Sequence, residues 1–191
     1  MGQPRCLAWF AVIEYNSTSE NERPLYIVTT TIEIYTIGHS NHTVESFIAL
    51  LREHAIEVVV DVRSQPYSRH VPHFNREALA HVLQEQGFTY EHRGDRLGGR
   101  PTDEGFLLAD GSVDYDKLRT SEDFQQALDE LLALAQEQRV ALMCAEGDHR
   151  RCHRGQLITP ALLARNVTVL HIQPDGSLID AASEPHQLSL F

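Results

Sequence analysis

The segment Cys144–Arg154, "CAEGDHRRCHR", holds two thiols, two carboxylates, two imidazoles and three guanidiniums. Arginines and a helix N-terminus beside a thiol both favour its thiolate. One chemistry open to Cys144 or Cys152 is therefore that of a nucleophilic or redox-active cysteine. A second is metal binding by Cys144, Cys152 and His153, with a carboxylate or His39 as fourth ligand. The spacing matches no standard zinc pattern. A third follows from the Cys-x5-Arg spacing of Cys144 and Arg150, which is that of cysteine phosphatases. Against it stand Met143, where a histidine is usual, the phosphate-repelling Glu146 and Asp148, and a single glycine between them. The bland alternative is a buried cysteine closing a strand ahead of a solvated, basic helix start.

"DVRSQPYS", residues 61–68, suits anion handling. Arg63 can form bidentate bonds to phosphate or carboxylate. Asp61 can orient that arginine or serve as acid or base, and an ion pair that only closes a strand end explains both equally well. Tyr67 and Ser68 follow in the same loop. "GHSN" adds His39 and Ser40, and "LGGR" adds a close-approach turn at Gly98. Phe74, beside His70 and His73, can stack on a base or simply pack a loop.

These groups need a scaffold that gathers them. Residues 32–37 alternate like a strand. Thr43 caps a helix running to Ala55, with Phe47, Leu50, Leu51 and His54 inward. "IEVVVDVRS" is a nearly continuous apolar run, as in a strand buried on both faces. Asn75 caps a helix with Leu79, Val82 and Leu83 inward, and Gly87 stops it. "FTYEH" is a short strand. Ser121–Gln138 is a periodic helix, "RVALMCAE" a buried strand, and "CHRGQLITPALLARN" a helix kinked at Pro160. "VTVLHI" is a strand whose turn, "PDG", returns "SLIDA" as a hairpin. Strands alternate with helices, which predicts an α/β, three-layer, Rossmann-like fold with a mainly parallel sheet. In such sheets ligands sit beyond the carboxyl ends of the strands, and that is where His39, Asp61, Arg63, Gly98 and Cys144 fall.

The totals set limits. The chain has 191 residues, three cysteines and a formal net charge of −11. An odd cysteine count builds no disulfide framework. No apolar run is long enough for a membrane span, and "CLAWFAVI" near the start lacks a cleavage site. The expectation is a reduced, cytoplasmic protein with no membrane partner. The acidic balance disfavours loose, charge-driven binding to nucleic acid. Residues 1–32 read as an N-terminal extension, partly disordered, residues 33–182 as one domain, and residues 183–191 as a flexible tail.

The motifs together carry a resemblance. "YTIGHSN", "VVVDVRSQPYS", "GFTYEHRGDRLGG" and "CAEGDHRRCHR", in that order, resemble the DUF488 family over about residues 34–172. Family members often carry a proline where this chain has "GDHRR". The resemblance implies the fold and marks His39, Ser40, Asp61, Arg63, Pro66, Ser68, Gly98, Cys144, Glu146, Cys152, His153 and Arg154 as the site. It implies no reaction.

The tail carries a second resemblance. "QLSLF", Gln187–Phe191, is similar to the peptide by which bacterial replication and repair proteins bind the DNA sliding clamp. Leu188, Leu190 and Phe191 would enter an apolar pocket and Gln187 would supply amide hydrogen bonds, as short linear segments do when they fold on binding. Docking of Leu188 and Phe191 on the chain's own core is the alternative.

The leading expectation is a DNA-maintenance protein recruited by the sliding clamp, with DNA a candidate partner and a metal ion a candidate cofactor. Its strand-end pocket would act on a nucleotide or damaged base by hydrolysis. Asp61, Cys144, Glu146 and His39 are the catalytic candidates. Ser40, Arg63, Tyr67, Ser68, Gly98 and Arg154 are the substrate-binding candidates. The alternatives are a non-catalytic adaptor between clamp and DNA, and a small-molecule phosphate hydrolase with a reactive cysteine.

Overall fold

A computed structural model describes residues 11–13 and 28–184. Strands β1 (Ala11–Ile13) and β2 (Val28–Thr30) pair antiparallel as a separate two-stranded sheet, within the stretch whose sequence predicts no element. The tail residues 185–191 lie outside the described residues.

The domain starts at β3 (Glu33–Gly38), which alternates Ile34 and Thr36 on one face with Tyr35 and Ile37 on the other. Helix α1 (Val44–Glu53) follows, and the Thr43 hydroxyl caps it by accepting the Ser46 N–H at 3.2 Å. Strand β4 (Val58–Asp61) is buried throughout. Helix α2 (Arg76–Glu85) comes next, and here Asn75 departs from expectation. Its side chain makes no cap bond; Oδ1 instead accepts the Ser68 N–H at 2.6 Å and pins the 61–68 loop. Strand β5 (Thr89–His92) follows a glycine in the left-handed region, Gly87 at φ 85°.

A short helix, α3 (Tyr115–Arg119), arises in a stretch without sequence periodicity. Helix α4 (Glu122–Glu137) is capped by Ser121 and buries Phe124, Leu128, Leu131 and Ala135. After β6 (Val140–Cys144) the helix carrying Pro160 opens as a π-helical turn, Arg154–Ile158, before α5 (Thr159–Leu163). Proline has no N–H and its ring crowds the carbonyl four residues back. The widened turn relieves that crowding, and the Thr159 hydroxyl donates to the Arg154 carbonyl at 2.7 Å. Strand β7 (Thr168–Ile172) and the antiparallel β8 (Leu178–Asp180) close the sheet.

The sheet order is β5-β4-β6-β3-β7-β8, parallel except at β8. Helices α1 and α2 pack on the face of Tyr35, Ile37, Val59 and Met143. Helices α3, α4 and α5 cover the face of Ile34, Val58, Val60 and Leu142. This is the three-layer α/β fold the sequence predicts. From β4 the chain crosses one face to reach β5; from β6 it crosses the other to reach β7. The two departures diverge at the β4–β6 boundary, and such a divergence opens a crevice at the strand ends. Among the described residues no helix is long and apolar enough to cross a membrane.

Candidate functional site

Register sets the site. Gly38 of β3 lies opposite Cys144 of β6, and Asp61 of β4 opposite Met143. His39, Arg63 and Ala145 therefore leave the sheet side by side. The His39 and Ser40 N–H groups donate to the Cys144 and Ala145 carbonyls at 2.9 Å each. A Cβ on Gly38 would overlap the Glu146 carbonyl, so only glycine lets the β6 loop lie this close to β3.

A cleft of about 360 Å³ opens above these ends. Arg63, Ser64, Gln65 and Tyr67 line it from one loop, Gly99 and Arg100 from another, Tyr115 from the start of α3, and Cys144, Glu146, Arg151, Cys152 and His153 from the β6 end and the segment after it. The glycine pair closes the wall: the Gly99 backbone packs on His153, and the Arg100 N–H donates to the Ser64 hydroxyl at 3.0 Å.

At the inner wall stand Cys144, Cys152 and His153. The Val62 carbonyl lies 2.9 Å from His153 Nε2. A carbonyl only accepts, so Nε2 carries the proton and Nδ1 presents a lone pair. That lone pair faces two sulfurs at once, Cys144 Sγ at 3.7 Å and Cys152 Sγ at 3.8 Å. The Arg154 N–H donates to Cys152 Sγ at 3.4 Å. A hydrogen bond from Cys144 pulls the Cys152 thiol below its ordinary range, aided by the Arg154 charge, and the same sharing with burial pushes Cys144 up.

Arg154 braces the same loop from behind. It is 1% exposed, and its donors go to Thr36 Oγ1 at 2.8 Å and the Glu146 carbonyl at 2.7 Å.

Asp61 and His39 stand behind the lining and hold Arg63 in a second, closed unit. Asp61 is fully buried and accepts from Arg63 Nε at 2.8 Å, Arg63 Nη2 at 2.6 Å, the Arg63 N–H at 3.0 Å and the Tyr90 hydroxyl at 2.7 Å. Its lone pairs are spoken for. Arg63 Nη1 donates to His39 Nε2 at 3.1 Å, and His39 Nδ1–H donates to the Ser40 carbonyl at 3.1 Å. Burial, with Arg63 alongside, holds His39 neutral, its pKa lowered to about 4. His39 stacks on Phe74 at 4.4 Å, which fixes Phe74 as a packing residue rather than a free stacking platform.

Of the residues expected from sequence, the cleft lining takes in Arg63, Tyr67, Cys144, Glu146, Cys152 and His153. His39, Ser40, Asp61, Ser68, Gly98 and Arg154 support it from behind. Ser68 Oγ accepts the His70 N–H at 3.2 Å and shapes its own loop. The Gly98 backbone packs on Ser64. Arg150, the arginine of the Cys-x5-Arg spacing, turns to solvent and pairs with Asp148 at 2.9 Å, outside the lining. Gln65, Arg100, Tyr115 and Arg151 are lining residues that the sequence did not single out. Only their nearness to motif residues signalled Gln65, Arg100 and Arg151, and nothing signalled Tyr115, which precedes the β6 loop by some thirty residues.

A second titratable cluster lies apart from the cleft. His149 and His171 stack at 3.7 Å, His149 Nε2 meets Glu184 Oε2 at 2.8 Å, and His171 Nδ1 meets Thr36 Oγ1 at 2.7 Å. The rings lie within 16° of parallel, so one ion could not sit in both ring planes.

Residues 43–159, more than half of the chain, match the family described as Domain of unknown function DUF488. The match spans the 61–68, 98–100 and 144–154 loops and begins after His39 and Ser40. No curated protein and no solved structure matches the chain.

Proposed function

The chain belongs to the DUF488 family, and we propose that its strand-end cleft is the active site of a hydrolase for a nucleotide or a damaged nucleic-acid base. One observation carries this reading. Arg100 and Arg151 line the cleft together with the thiol–imidazole cluster, and among the described residues neither makes an ion pair. Guanidiniums without a partner, at the mouth of a cleft, suit phosphate. Tyr67, 70% exposed at the same mouth, offers a face on which a base can stack. Glu146, the carboxylate of the lining, takes the proton of the attacking water, and the cluster of Cys144, Cys152 and His153 marks where that water sits.

The C-terminal peptide Gln187–Phe191 completes the proposal. It delivers the cleft to DNA by binding the sliding clamp, which raises local concentration without requiring a basic surface. An acidic chain that must act on DNA benefits from such a tether.

The test is a hydrolysis screen of nucleotides and of oligonucleotides with damaged bases, run with the full chain and with an Arg100→Ala/Arg151→Ala variant. Expected is turnover whose KM rises at least about tenfold in the variant, about 1.4 kcal/mol of lost binding. Equal KM in both proteins would remove the arginines from substrate binding, and no turnover on any phosphorylated substrate would remove the hydrolase.

A further inference from the structure

We infer that Cys144, Cys152 and His153 form a zinc site with three protein ligands and a fourth position open to the cleft. The inference deepens the hydrolytic reading of the same cleft and rests on it for the role of the ion, but not for binding itself.

Geometry carries it. Zn–S bonds of about 2.3 Å and Zn–N bonds of about 2.0–2.1 Å at tetrahedral angles set sulfur and nitrogen roughly 3.6 Å apart. His153 Nδ1 lies 3.7 Å from one sulfur and 3.8 Å from the other. One lone pair cannot accept well from two thiols at nearly equal distances. It is well aimed at a point shared by all three donors. Those donor atoms lie within 4.8 Å of one another.

The surroundings also fit. A histidine ligand usually donates its other ring N–H to a carbonyl or carboxylate, which fixes tautomer and ring angle. His153 Nε2 does this with the Val62 carbonyl at 2.9 Å. The Arg154 N–H donates to Cys152 Sγ at 3.4 Å, and such a bond steadies a thiolate ligand. Two thiolates and an imidazole select zinc over hard cations such as magnesium or calcium. Among the described residues no fourth donor joins the group. His39, a fourth ligand open to the sequence, gives Nε2 to Arg63 and is not available.

An open fourth position is the mark of a catalytic rather than a structural zinc site. The cleft it opens to is lined also by Arg63, Arg100, Arg151 and Glu146. Water held there would pass a proton to Glu146 and become hydroxide near neutral pH. The hydroxide would add to the electrophilic centre of a substrate held by the arginines, and the leaving group would depart with a proton from Glu146.

The experiment uses the full chain, purified under reducing conditions without chelator. Metal is counted by mass spectrometry, and the stripped protein is then titrated with cobalt(II). Expected is about one zinc per chain, and a thiolate-to-cobalt charge-transfer band with the strong ligand-field absorption of tetrahedral sites. Zinc should slow iodoacetamide labelling of Cys144 and Cys152 at least about tenfold, and leave Cys6 unchanged. His153→Gln should weaken the cobalt complex and retain the sulfur band. Absence of zinc and of the cobalt band, or equal labelling with and without zinc, would overturn the site. A band that survives in Cys144→Ser/Cys152→Ser would place the metal elsewhere and overturn it too. If that variant does not fold, the labelling and cobalt readouts on the unaltered chain still decide. Zinc without hydrolysis would sink the proposed reaction and leave the site; hydrolysis without zinc would do the reverse.

Discussion

At the scale of residues, burial and partner count separate the groups that face substrate from the groups that hold them. Asp61 has the type and position of a general base, but four donors saturate it and none of its surface reaches the cleft. Its part is to hold Arg63. Asp61→Asn should therefore cost about 3–5 kcal/mol, because it leaves a buried guanidinium unmatched. Urea unfolding measures this; a variant of unchanged stability with abolished turnover would return Asp61 to the catalytic set. His171 gives a second prediction. It is 1% exposed, and burial, with His149 and Arg154 alongside, lowers its pKa from 6.5 to about 3. Between those two values the unfolded chain binds a proton that the folded chain refuses. Stability is then intact above pH 6.5 and falls by about 1.4 kcal/mol per pH unit as pH drops toward 3. His39, held near 4, acts in the same direction over a narrower window. His171→Asn should remove its share of the slope between pH 6 and 4. Parallel stability profiles for the variant and the parent would refute the assignment.

At the scale of elements, glycines decide how closely loops approach. Gly38 ends β3 where the Glu146–Gly147 backbone passes, and a Cβ there meets backbone atoms that cannot rotate away. Gly87 has open space around it and needs only its left-handed φ of 85°. Both alanine variants should lose stability, by about 1 kcal/mol at Gly87 and about 1–3 kcal/mol at Gly38. Only Gly38→Ala should also weaken phosphate binding, because only it displaces the loop that bears Cys144, Arg151 and Cys152. Equal phosphate affinity in the two variants would count against that coupling. Period and caps make most elements readable in the sequence. Thr43 caps where expected, and β4 and β6 are the buried runs they resemble. Asn75 read as a cap because the rule knows only local sequence, whereas Ser68 competes for its oxygen across the loop. Helix α3 was silent because five residues hold too little period to detect. The π turn needed the meeting of Pro160 with the carbonyls before it, which proline alone does not specify. The site divided the same way. Residue types named Cys144, Cys152, His153 and Arg63, but which groups line a cleft and which brace it depends on strand order, and alternation of strands and helices leaves order open.

At the scale of the whole molecule, charge and tether pull on the same question. A net charge of −11 repels the phosphate backbone, and nonspecific DNA affinity comes mostly from the reverse arrangement. The two unpaired arginines of the cleft, Arg100 and Arg151, offset this only locally, over a Debye length of about 10 Å at moderate salt. The domain by itself should then process a free nucleotide far better than the same nucleotide within duplex DNA. Tethering changes the balance without any new contact in the cleft, since an intramolecular encounter replaces a repelled bimolecular one. With clamp loaded on the DNA, the full chain should gain about 10²-fold or more in kcat/KM on DNA. A chain ending at His186 should show no gain, while its turnover of the free nucleotide stays equal to that of the full chain. Kinetics on both substrates, with and without clamp, separate the two contributions. A gain that survives removal of Gln187–Phe191 would assign recruitment to the folded domain, and an equal loss on both substrates would make the peptide part of the fold rather than a tether.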